Sequence, residues 1–170
     1  MKDSQKNVEQ LCPNCGLCCD GTLFADVELR AGDNAKRLAK LGLSLKKKGR
    51  VKIAFAQPCA CFDGTFCTIY SERPKRCRLF ECGLLKKVDA GEMKAGTALK
   101  KIAEAKKLMK KVKDLLRAFD EDDEGMALSE RYARAMSAPM DLSAENNGRH
   151  GKLMKVYGDM MKVLQRDFLR

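Results

Sequence analysis

Tryptophan is absent from this 170-residue chain, histidine occurs once, and aromatic residues make up only 6% of it. A single imidazole rules out a histidine-rich metal centre, and it leaves a Ser-His-Asp triad without support because His150 stands in a polar stretch far from any nucleophile motif. The scarcity of aromatics removes the base-stacking platforms on which single-stranded nucleic acids are read. No stretch approaches the roughly 20 consecutive apolar residues of a membrane-spanning helix. Residues 1–11 are polar and charged, with no apolar segment and no small-residue cleavage site, so export is not expected and a cytoplasmic location is.

Cysteine, by contrast, is abundant and clustered. Four of the nine cysteines fall within eight residues, Cys12-Pro13-Asn14-Cys15-Gly16-Leu17-Cys18-Cys19, and the other five, Cys59, Cys61, Cys67, Cys77 and Cys82, follow in one later segment. In a reducing compartment such clusters are metal ligands or redox groups more often than disulfide staples. Thiols two residues apart let a tight loop wrap one centre, as in ferredoxin runs and zinc knuckles, and Gly16 supplies the backbone freedom for the turn. Cys18 and Cys19 are adjacent, and neighbouring side chains usually diverge, so both are not expected at one mononuclear site. The formal charge of +11 counts every thiol as neutral; eight metal-bound thiolates would bring it to about +3.

Patterning along the chain predicts α+β architecture, mostly α. After a tail at 1–11, a cysteine-rich module over 12–90 with short strands is expected to be organised by metal, followed by a helical extension over 91–170 packed on it. Strands are expected at 22–29 and 51–55, a short helix at 34–41 and a basic loop at 43–50. Asp63-Gly64 marks a turn, and a helix starting at Ser71-Glu72-Arg73-Pro74 would present Cys77, with Cys82 at its end. Ala98, Ile102, Ala105, Met109, Val112, Leu116 and Phe119 form one stripe of a long helix, closed by Asp120-Glu121-Asp122-Asp123-Glu124. A short helix at 129–138 precedes Pro139, a polar loop spans 141–150, and a terminal helix at 153–168 is expected to pair with the long one.

The run from Cys12 to Cys19, then Pro58-Cys59, then Cys67-Thr68-Ile69-Tyr70-Ser71-Glu72-Arg73-Pro74-Lys75-Arg76-Cys77-Arg78-Leu79-Phe80-Glu81-Cys82, resembles the CxxCxxCC, or YkgJ-type, cysteine cluster family of zinc- or iron-chelating proteins. The resemblance covers about 12–86 and implies a metal set of Cys12, Cys15, Cys18, Cys19, Cys59, Cys67, Cys77 and Cys82. Cys61 is outside that pattern and reads as a buried bystander. Arg73 and Arg78 bracket Cys77, where a guanidinium would offset thiolate charge and donate to sulfur.

A metal-binding protein holding an iron-sulfur cluster or zinc accounts for the most residues, with a protein partner for the helical half. Iron-sulfur is favoured by the three cysteines at two-residue spacing. Two other classes stay open. One is a basic nucleic-acid-binding module with structural zinc, suggested by a pI near 9.3 and by the lysines at 46–52 and 100–113. It is disfavoured because a lysine-rich helix face is ordinarily a solvated one. The other is a metal-dependent enzyme, such as a protein-modifying one, which needs an open coordination position that spacing does not reveal.

Overall fold

The computed structural model describes residues 2–137 and 144–170, and side chains over 6–137 and 148–170. It is an α+β fold, mostly helical, with three short antiparallel strands. Helix α1 spans Lys2–Cys15, so residues expected as a tail are its first turns. Val8, Leu11 and Cys15 recur on one side and pack into the larger of two cores, a stripe too short to stand out by periodicity. The helix stops at Gly16, whose φ of +74° suits the left-handed residue that follows many helices.

The sheet consists of β1 (Asp26–Glu28), β2 (Leu45–Lys48) and β3 (Lys52–Ala56) in the order β1-β3-β2. Val27 and Leu45 both pair with Phe55. Strand β2 lies where a basic loop was expected: it is an edge strand whose lysines face water, which leaves no alternation to detect. The stripe of Val51, Ile53 and Phe55 is buried at Phe55 alone, because the hairpin runs out beyond the core and leaves Val51 91% exposed. Beside the sheet, α2 (Ala35–Lys40) is capped by Asn34, whose side chain accepts from the Arg37 amide at 3.0 Å. Val27, Leu38, Leu43, Phe55, Cys61 and Ile69 close a small second core.

A 3-10 turn at Tyr70–Glu72 leads to α3 (Lys75–Leu79), which carries Cys77. The chain then turns extended at Phe80, and Cys82 is the N-cap of a separate helix, α4 (Gly83–Asp89), rather than the end of the same one. Helix α5 (Ala95–Leu116) buries Ala98, Ile102, Ala105, Val112 and Leu116 and gives way to a 3-10 turn ending at Phe119. Helix α6 is Leu128–Ser137; the expected end at Ala138, with Pro139 and residues 140–143, lies outside the described residues.

Helix α7 (Ala144–Asp167) begins inside the stretch expected as a polar loop. His150 is therefore helical and buried, its ring edge-on to Phe119 at 4.8 Å between centroids. Leu153, Met160, Val163, Leu164 and Phe168 pack α7 along α5, and the same core takes in Leu11 and Leu17 from the cysteine-rich end. No helix among the described residues is long and apolar enough to cross a membrane.

Candidate metal centre

Between the two cores lies a cavity of about 710 Å³, and Cys12, Cys15, Cys18, Cys19, Cys59, Cys67, Cys77 and Cys82 all line it. Cys61 does not: it sits in the small core, 2% exposed, with its S–H donating to the Leu41 carbonyl at 3.5 Å.

The thiols come from six places. α1 contributes Cys12 and Cys15 from its last turn, and the loop after it contributes Cys18 and Cys19. That loop is wound by backbone bonds from Cys19 and Asp20 to the Gly16 carbonyl, at 2.8 and 3.0 Å, and from Leu23 to the Leu17 carbonyl at 3.0 Å. Cys59 follows the cis Gln57-Pro58 bond, and its amide donates to the Cys19 carbonyl at 2.8 Å. Cys67 is bridged to Phe62 across the Asp63-Gly64 turn, whose Asp63 carboxylate accepts from the amides of Thr65 and Phe66. Cys77 and Cys82 come from α3 and the start of α4.

Contrary to expectation, the Cys18 and Cys19 side chains converge, with sulfurs 3.9 Å apart. Two thiolates on one tetrahedral ion with bonds near 2.3 Å would be about 3.8 Å apart, so adjacency does not bar them from neighbouring positions. The tight Gly16 turn overrides the usual divergence. Among the described residues, no three Cys, His, Asp or Glu side chains already meet around one point at ligating distance. The donors therefore fit a thiophilic metal in kind, and gathering them round it is left to the bound ion.

Electrostatics make these thiols poor thiolates without a cation. Burial, with Cys18 and Cys82 nearby, pushes Cys12 up to about 12, although its edge faces the open side of the cavity. Burial likewise takes Cys15 to about 12, Cys59 to about 11 and Cys77 to about 12, and raises Cys67 and Cys82. In the close pair, hydrogen bonding to Cys19 lowers Cys18 and correspondingly raises Cys19, so the pair favours one shared proton. A metal entering here must displace protons, and its charge would replace the desolvation that burial imposes.

Arg73 is the cation nearest to this chemistry. It lines the cavity, lies over the Tyr70 ring at 3.5 Å, donates from Nε to the Tyr70 carbonyl at 2.9 Å, and draws down Cys12, Cys18, Cys67 and Cys77. Arg78 is exposed and is not among the lining residues, whereas Arg76 is.

Sequence reasoning did not single out Gln57. It lines the cavity, is 2% exposed, and its Oε1 has no hydrogen-bond partner. Nothing in the pattern around Pro58-Cys59 would have flagged it.

Residues 11–108 match the CxxCxxCC family, described as a "putative zinc- or iron-chelating domain". No curated protein and no solved structure matches the chain.

Proposed function

The chain belongs to the CxxCxxCC zinc- or iron-chelating family, and from that premise we propose that Cys12, Cys15, Cys18, Cys19, Cys59, Cys67, Cys77 and Cys82 hold an iron-sulfur cluster, with zinc as the competing occupant. The observation that carries this reading is the sorting of the nine thiols: the eight of the family pattern line one cavity, and Cys61 does not, its S–H donating to the Leu41 carbonyl. Three cysteines at two-residue spacing favour a cluster-binding run. An iron-sulfur cluster would supply electron transfer, and zinc would supply a cross-link that completes the fold.

The chain's own residues do the rest. Arg73, held in place by Tyr70, offsets negative charge on sulfur. Leu11, Leu84 and Leu85 back the cavity with apolar surface and limit water on that side. The test is metal analysis with an absorption spectrum on protein purified without oxygen. A brown protein with broad visible absorption that bleaches on reduction, and with acid-labile sulfide, supports the cluster. A colourless protein with stoichiometric zinc transfers the same ligands to zinc, and protein with neither metal overturns the reading.

A further inference from the structure

We propose that the eight thiols form two centres of four, Cys12, Cys15, Cys18 and Cys82 in one and Cys19, Cys59, Cys67 and Cys77 in the other, each taking one thiophilic metal ion or one four-iron cluster. This rests on the metal-binding reading above and divides its ligands.

The division follows from which core supports each thiol. Cys12 and Cys15 ride on α1 and Cys82 caps α4, two helices packed on one another, and Cys15 and Cys82 lie against the large helical core. Cys59, Cys67 and Cys77 lie against the small core beside the sheet. Each group is thus carried by a different packed unit; Cys61, in the same small core, donates its S–H to the Leu41 carbonyl at 3.5 Å and does not line the cavity, so each group is one cavity thiol short of four, the number that closes a tetrahedral ion or a four-iron cluster.

Cys18 and Cys19 stand between the groups; their sulfur separation of 3.9 Å, short enough for one ion, equally suits two thiols in contact across two adjoining centres. The Cys19 carbonyl holds the Cys59 amide at 2.8 Å, which ties Cys19 to the second group through the backbone. Cys18 remains to complete the first, and it sits next to Leu17, which is wholly buried in the large core.

The experiment uses the full chain, reduced, stripped of metal and titrated without oxygen with zinc alone. Wild type should take up two equivalents, Cys15→Ser and Cys77→Ser one each, and the double variant none. At one equivalent of zinc on wild type, thiol alkylation read by mass spectrometry should protect cysteines in the two stated groups of four and in no mixed group; this second measurement does not depend on any variant folding. Uptake of a single equivalent by wild type, loss of all zinc in either single variant, or protection that mixes the groups would overturn the division while leaving metal binding intact. Wild type that binds no zinc and carries no iron would overturn both.

Discussion

The amide of Cys59 donates to the carbonyl of Cys19 at 2.8 Å, so the two cysteine segments are joined through backbone before any metal is considered. A neighbouring bond from the Leu128 amide to the Gly21 carbonyl, at 2.9 Å, fixes the same loop to the start of α6. The loop carrying Cys18 and Cys19 is therefore anchored on both sides, and what metal adds is convergence of side chains rather than the path of the chain.

Removal of metal should consequently loosen the cavity more than the helices. Chelation is expected to open the segment at 57–82 to protease while α5 and α7 stay protected by their shared core. Limited proteolysis with and without chelator checks this, and equal protection of both regions would contradict it.

Cys59→Ser and Cys61→Ser should part company. Cys59 lines the cavity, so its loss is expected to lower metal content; Cys61 does not line it and donates to the Leu41 carbonyl, so its loss should leave metal content unchanged at a stability cost of about 1 kcal/mol. Elemental analysis of the two purified variants decides it.

At Gly16 a Cβ would stand 2.7 Å from Phe62 Cζ on a backbone with φ of +74°. Gly16→Ala is expected to destabilise by roughly 1–3 kcal/mol through strain and crowding, and to weaken metal retention because Cys15 and Cys18 flank the turn. Denaturant midpoints and metal content should both fall.

Gly83 is constrained differently. Its Cβ would meet the Arg170 carbonyl oxygen at 2.5 Å and that of Asp167 at 2.8 Å, and its amide donates to the Phe168 carbonyl at 3.0 Å. Gly83→Ala should push α4 from the end of α7 and take Cys82 with it, costing about 1–3 kcal/mol. A thermal midpoint equal to wild type would show that the joint gives way freely.

Asp167 is buried, with Lys101 at 2.9 Å and Arg166 at 2.6 Å. Burial alone would raise its pKa, but the two cations outweigh this and hold it below the usual carboxylate range. A depressed folded value means that its stabilisation is fully present above the unfolded value of about 3.9 and fades as pH falls through the folded one. Asp167→Asn should thus cost roughly 1–3 kcal/mol at pH 7, since the cations are partly solvated, and the gap to wild type should shrink below about pH 4. Urea unfolding at both pH values reads the difference.

By itself the sequence determined those features that repeat along a local period or sit in a fixed local motif. The α5 stripe, the Asp63-Gly64 turn and the cysteine run were legible because each is set by residues within a turn or two of one another. The family resemblance separated its eight thiols from Cys61, though a sequence pattern says nothing of where a sulfur points. Tertiary structure decided the rest. Strand β2 exists because β3 offers it hydrogen bonds, not because lysines favour strands; α1 is held by α4 and α5 beneath a stripe too brief to be noticed. The burial of His150 against Phe119, the placement of Arg73 and Arg76 rather than Arg78 along the cavity, the unpartnered oxygen of Gln57 and the approach of Cys18 to Cys19 all depend on groups far apart in the chain or on one glycine turn. Such contacts are set by packing between elements, which no local period encodes.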